Sequence, residues 1–496
     1  MNSQPVTVDQ KNRIIEFGST SDKKEKDLTS TVDKEHGQMI DEDYAAHEKS
    51  LVRKLDMTLM PTIFILYLLN YLDRNNISQA KLDSIEDDLG LKGNDYNIAI
   101  SILSIGYILM QIPSNMLLTR MRPSLYIPFW VCIWSCLSAS TAGVNNFSGL
   151  VAVRFFLGIC EAPFFPGVFY LLSCWYTKKE LALRYAVLYS GLVLATAFSG
   201  LLAAGIFAGL EGAMGLAGWR WLFIIEGAAS FLVGLCAFFL LPDFVHSETG
   251  SAQWLLNDNE RRVSMSRMAR DAVSNQDTDN SLSHGLKLAV MDLKTWIFAL
   301  MLLANQTAYG FNYFYPTIVE GFDLGNRTIT LVCTAPPYII AAIISYIIAW
   351  SSDHMGERGW HISFPIVIAI VGFIVSVSVL NVAARYCASF LYVCGVFAAN
   401  ATLYGWAATT LGDTTEKKAC ATAIINVIGQ FGSIMSPYFF GSHDAPRYTK
   451  AMILLMAFCA LEAILCCAMK VILRRENKKI MAQFDGTGLV PNLHIL

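Results

Sequence analysis

Residues 57–79 read MTLMPTIFILYLLNYLDRNNISQ, an apolar run that carries an acid and a base, Asp73 and Arg74, toward its far end. About 20 mostly apolar residues suffice to cross the hydrocarbon of a bilayer as a helix. Working outward, eleven more runs of that kind lie at 96–119, 124–143, 147–176, 184–208, 220–241, 295–317, 328–350, 362–382, 386–411, 420–440 and 449–471. They fall as six, a polar stretch, and six. The composition agrees: 54% apolar and 16% charged residues, against about 45–50% and about 25% in a soluble chain. A disordered scaffold, a secreted disulfide mini-protein and, with a net charge of −3, a nucleic-acid binder are excluded. The twelve cysteines lie almost wholly inside apolar runs without a CxxC pair and read as packing residues, so neither a metal nor another cofactor is expected.

The expected architecture is an all-α membrane protein of twelve transmembrane helices in two six-helix lobes. Its parts are a tail at 1–50, a first lobe at 51–242, a linker at 243–292, a second lobe at 293–472 and a tail at 473–496. The first tail is charged, rich in Ser and Thr and free of the apolar core of a signal peptide. Lys and Arg counts orient the chain. With the N-terminus inside, cytoplasmic flanks hold 21 and outer loops 7, which places both termini and the linker in the cytoplasm. Four linker arginines, Arg261, Arg262, Arg267 and Arg270, are expected at anionic headgroups.

A charge in hydrocarbon costs at least about 2.5–3.5 kcal/mol, so each one needs a reason. The first six runs show Asp73, Arg74, Arg154 and Glu161. Arg154 and Glu161 share a helix face two turns apart. At about 1.5 Å per residue, Asp73 lies about 24 Å from the inner end of its run, while Arg154 and Glu161 lie about 10 Å and about 21 Å from the outer end of theirs. That places Asp73, Arg74 and Arg154 in the outer half and Glu161 at or below the midplane. An Asp73–Arg154 ion pair locking two helices is one reading. The other is functional: arginine offers a planar fork to a carboxylate, and a desolvated carboxyl group can carry a proton.

The second six runs hold one deep charge, Glu462, and otherwise uncharged polar groups. Tyr309, Asn312 and Tyr313 recur at i, i+3, i+4 on one helical face; Asn400, Tyr404, Trp406, Thr409 and Thr410 follow in the tenth run, Asn426 and Gln430 in the eleventh. They either hydrogen-bond within the bundle or line a cavity. No Walker A loop, HExxH or Rossmann glycine pattern occurs, so no enzyme is expected. Asn146 and Asn326 head glycosylation sequons, but in short loops that hug the membrane, so modification is not expected there.

The stretches YLLNYLDRNNI (67–77), GYILMQIPSNMLL (106–118), RFFLGICEAPFFPGVFYLLSCWY (154–176) and GWRWLFIIEG (218–227) resemble the major facilitator superfamily, and within it the fungal allantoate permease-like branch of the anion:cation symporters. The resemblance runs from about Leu51 to Arg475. It implies proton-coupled symport of a small organic anion (a vitamin, ureide or amino-acid-like carboxylate) by a monomer in the plasma membrane. It gives Asp73 and Glu161 to proton coupling and Arg74 and Arg154 to the anion, and puts Trp406, Thr409, Thr410, Asn426 and Gln430 on the substrate-facing side, where the spacing of Tyr309, Asn312 and Tyr313 offers a further lining. It also makes SDHMGERG (352–359) a gating loop held by Asp353 and Arg358. The sequence departs from the branch at Thr409 and Thr410, where paired asparagines are usual, and at Gln430, where asparagine is usual. An exporter of an acidic metabolite in exchange for protons is the alternative, and a non-transporting nutrient receptor a more remote one.

Overall fold

The computed structural model describes residues 41–118, 121–247, 249–273, 282–411, 415–484 and 493–495. Most of the expected 1–50 tail, the middle of the linker (274–281) and part of the 473–496 tail lie outside the described residues. In chain order the helices are α1 (Asp41–Ala80), α2 (Ile85–Leu89), α3 (Asp95–Leu118), α4 (Pro123–Ser140), α5 (Phe147–Glu161), α6 (Phe164–Trp175), α7 (Lys178–Leu210), α8 (Gly218–Leu240), α9 (Ala252–Leu255), α10 (Asp258–Val273), α11 (Leu282–Met291), α12 (Leu293–Ala308), α13 (Tyr315–Glu320), α14 (Arg327–Met355), α15 (Gly359–Ser378), α16 (Val382–Thr410), α17 (Thr415–Met435) and α18 (Thr449–Phe484). Only an isolated bridge, Pro242 to Gly250, interrupts this all-helical description.

All twelve apolar runs fall on helical segments, but their ends and continuity differ from expectation. Helix α1 already begins at Asp41, because Leu51, Leu55 and Leu59, one turn apart, bury a continuous stripe. The fourth run breaks after Glu161, where Pro163 lacks the N–H that would continue the ladder. The seventh breaks at a 3₁₀ turn, Tyr309–Tyr313, between α12 and α13. Among the described residues ten helices are long and apolar enough to cross a membrane.

Packing divides the bundle into halves. Helix α1 lies against α7 and α8, α4 against α8, and α3 against α5; in the second half α12 packs on α17 and α18, and α16 on α14 and α15. The α3–α5 contact depends on two glycines of the quoted motifs. A Cβ on Gly158 would overlap the carbonyl of Leu103, and one on Gly106 the carbonyl of Phe155, so these backbones touch directly. The halves meet where α7 packs on α14 and α3 on α17.

At the end of the bundle away from the 242–292 connection, Arg327 bridges the halves, bonding to Asp83 and lying 3.1 Å from Glu211. Below it the Tyr96 hydroxyl donates to the Tyr313 carbonyl (3.1 Å) and the Ser101 hydroxyl to the Ile434 carbonyl (2.8 Å). Among the described residues, the ion pairs at the other end stay within one half or bind the connection to it: Arg184–Asp56, Lys54–Glu260, Lys470–Glu357 and Lys417–Asp292. Three of the four linker arginines turn toward the protein: Arg267 is buried against Glu180 and the Trp175 carbonyl, Arg261 reaches the Ala252 carbonyl, and Arg270 lies over Tyr44, while Arg262 is exposed. Arg267 and Arg270 help dock α10 on the first half.

Candidate functional site

The deep charges pair differently from the sequence expectation. Asp73 makes no ion pair with Arg154; its two oxygens accept from the hydroxyls of Ser138 (2.9 Å) and Ser230 (3.2 Å), on α4 and α8. Arg74 instead binds Glu161 through its Nε. Depth along the helix axis had separated these two groups, but it ignores the length of an arginine side chain, which lets Arg74 leave its own level and reach α5. Arg154 is 1% exposed, its guanidinium 5.6 Å from the Phe223 ring centroid, with Nε and Nη2 lacking partners. It does not open to solvent as an anion fork in this conformation.

Arg74 keeps 19% of its side chain exposed while Glu161 has none. Its guanidinium carbon lies over the rings of Tyr107 (4.9 Å) and Tyr71 (5.4 Å), an arrangement that holds a cation while leaving its outer edge free. Tyr313 lies within electrostatic reach of Arg74, Glu161 and Arg154, and Tyr309 within reach of Arg74 and Tyr71. The result is a half-buried arginine ringed by tyrosines drawn from both halves. A guanidinium in such a setting suits a small carboxylate with an apolar or aromatic body.

The second half is sorted by the 3₁₀ turn at 309–313. At three residues per turn, Tyr309 and Asn312 align while Tyr313 turns away, so the expected common face of all three does not form. Asn312 is buried and committed: it donates to Asn75 (3.2 Å) and accepts from Tyr338 (2.7 Å). Trp406 is fully buried, its indole N–H bonded to the Ile495 carbonyl (3.0 Å) and its ring edge-on to Phe298. Thr409 and Thr410 form the last turn of α16, about 14 Å beyond Asn400 along the axis. Thr409 is exposed and bonds back to the carbonyls of Gly405 and Trp406. These three residues face packing and the helix end, not the arginine. Asn426 accepts from the Tyr404 hydroxyl (3.3 Å), and Gln430 is half-buried on the same helix. In the 352–359 loop Asp353 and Arg358 pair at 2.5 Å, Gly356 takes a left-handed φ of 60°, and Arg358 lies against Gly405 of α16.

Sequence reading overlooked one acid. Glu226 on α8 is 1% exposed, has the Asn76 side chain as its nearby polar group, and stands one turn from Ser230, which holds Asp73. It was visible by the rule that exposed the other four, a charge inside an apolar run. The tyrosine ring was not visible, since Tyr71 and Tyr107 look like ordinary core aromatics until the helices are placed.

The sequence profile of the Major Facilitator Superfamily matches residues 63–437. The chain is 32% identical over 445 residues to the Major facilitator-type transporter hxnP of Emericella nidulans, with 87% of each chain covered. It is 31% identical to the MFS-type transporter cnsO of Penicillium expansum (88% of this chain, 85% of that one). With the Putative tartrate transporter of Agrobacterium vitis it shares 29% (79% and 88%). Among solved structures, that of a bacterial homolog to the human lysosomal transporter Spinster, inward-facing and unoccupied, aligns with a TM-score of 0.64 at 15% identity over 82% of this chain and 95% of that one.

Proposed function

Because this chain belongs to the Major Facilitator Superfamily, and is therefore a multi-pass membrane transporter and not an enzyme, we propose that it is a proton-coupled symporter of a small organic anion. In this reading it crosses the plasma membrane twelve times, with both termini and the 243–292 linker in the cytoplasm, and works as a monomer. The Arg327 bridge then closes the outer side, and the molecule is caught facing inward. The substrate class is a monocarboxylate of the vitamin, ureide or amino-acid-like kind. A relative named for tartrate transport supports an anionic substrate.

The observation that carries the reading is the Arg74–Glu161 bond, in which a half-buried cation is held by a fully buried carboxylate. An arriving carboxylate competes with Glu161 for the arginine. Once displaced, Glu161 is a buried anion without its cation, and taking up a proton removes the cost of that charge. Anion and proton thus bind together, and the neutralised site can reorient. Asp73, held by two serine hydroxyls beside Arg74, is the second carboxyl in reach of the same exchange. The test is uptake of a panel of labelled carboxylates into permease-deleted fungal cells at acidic and neutral outer pH. Accumulation that is greater in acid and collapses with a protonophore supports symport. Carboxylate release driven by inward proton flow, without uptake, overturns it in favour of exchange.

A further inference from the structure

From the edge of the Arg74 site, where Tyr189 lies within electrostatic reach of Tyr71 and Tyr309, a row of hydrogen bonds crosses from one half of the molecule to the other and ends on an acid. The Tyr189 hydroxyl, on α7, donates to Asn400 Oδ1, on α16. Asn400 Nδ2 donates to Asn305 Oδ1, on α12, at 2.6 Å. Asn305 Nδ2 donates to both oxygens of Glu462, on α18, at 3.2 Å each, and to the Val396 carbonyl at 3.4 Å. Glu462 and Asn305 are fully buried and Asn400 is 5% exposed. Only Tyr189 is half-buried.

The direction of this row is dictated from its acidic end. An ionised carboxylate only accepts, so Asn305 must turn its NH₂ toward Glu462 and its oxygen toward Asn400. Asn400 must then present its NH₂ to Asn305 and its oxygen to Tyr189, which is left to donate. Every donor points toward the charge, and such aligned bonds strengthen one another. A protonated Glu462 can itself donate to an amide oxygen. That frees Asn305 to flip and removes the reason for each later orientation.

The surroundings leave Glu462 as the controlling group. From its own helix Cys459 and Cys466 lie in electrostatic reach. Helix α12 offers Asn305, α16 the Val396 carbonyl, and α15 the Ser363 hydroxyl beside Cys466. The 3₁₀ turns at 309–313 and 436–439, which also touch α18, contain no acid or base beyond tyrosine. Among the described residues no cation lies within ion-pair distance of Glu462, which sets it apart from Glu161.

We infer that Glu462 is a proton-binding site of the second half, separate from the Arg74 site, whose ionised form ties the two halves together through Asn305, Asn400 and Tyr189 and whose protonated form loosens that tie. The full chain in lipid nanodiscs, without substrate or gradient, provides the test through amide hydrogen exchange of the α7 segment around Tyr189 at pH 6.5 and 9.5, corrected for intrinsic rates. Wild type is expected to exchange about fivefold faster at the acidic pH, the effect of losing one ordinary hydrogen bond. Glu462→Gln should show the fast rate at both values, as should Tyr189→Phe, which leaves the acid in place. Should Glu462→Gln fail to reach the membrane, Tyr189→Phe decides alone. A wild-type pH response persisting in either variant overturns the proposal. Glu161→Gln separates this site from the proposed transport chemistry: if it erases the response, the response belongs to Glu161 and the Glu462 site falls.

Discussion

Arg74 is bonded to Glu161 on the neighbouring helix and not to Asp73, its partner in sequence, whose oxygens are taken by Ser138 and Ser230. The first half of the site therefore contains one engaged cation–carboxylate bond and one carboxylate held by neutral hydroxyls. The two acids differ in what frees them, and the predictions follow from that difference.

Arg74→Lys keeps a positive charge but loses the planar group that bonds Glu161 and covers two tyrosine rings. Apparent affinity for the transported anion should fall by about 10- to 100-fold, the range for a charge-assisted hydrogen bond. The concentration dependence of labelled uptake measures it. An unchanged half-saturation concentration would mean that the anion binds elsewhere.

Glu161→Gln fixes the neutral form and releases Arg74. Accumulation against a concentration gradient, driven by an imposed pH difference, should vanish, while counterflow exchange of labelled for unlabelled anion should continue. Wild-type accumulation in this variant would pass the proton role to Asp73.

Restoring the branch's asparagines by Thr409→Asn with Thr410→Asn should leave substrate preference alone, because these side chains sit at the end of α16. Tyr309→Phe, by contrast, should change the order of preference within a carboxylate panel. A shift produced by the threonine variant and not by Tyr309→Phe would contradict the placement of the site at Arg74.

Gly158→Ala forces a methyl group onto the Leu103 carbonyl and must push α3 and α5 apart. Overpacking of this kind costs about 1–3 kcal/mol. Thermal unfolding in detergent should shift downward by several degrees, and a midpoint equal to that of wild type would show that the helices absorb the methyl freely.

Docking of α10 depends on Glu260, which accepts from Lys54 (2.8 Å), Ser50 (2.7 Å) and the Asn257 amide (2.9 Å). Burial favours its neutral acid, but these three donors outweigh that and hold the carboxyl below its usual range. A carboxyl with a lowered value stabilises the folded form above the ordinary value of about 4.3, and loses that contribution as pH falls through the lower one. Hydrogen exchange across 258–273 should be steady from neutrality to about pH 5 and then quicken. Glu260→Gln should remove this acid dependence and expose α10 at every pH. Protection that ignores both pH and the substitution would show that Arg267 alone holds the helix.

The sequence by itself determined the all-helical class, the positions of the apolar runs and the presence of Asp73, Arg74, Arg154, Glu161 and Glu462 inside them. These are local properties: length and hydropathy select a membrane helix, and a charge within one stands out because hydrocarbon makes it costly. Partnership was not local. Spacing along one helix says where a Cα lies, whereas Arg74 chose Glu161 by the reach and direction of its side chain from α1 to α5. The same limit explains Trp406 and Thr409, whose residue types suited a cavity but whose helix carries them past it, and the relay from Tyr189 to Glu462, which draws one residue from each of four helices. Only the tertiary structure decided these, because hydrogen-bond and ion-pair energies depend on distances of a few ångströms between segments far apart in the chain.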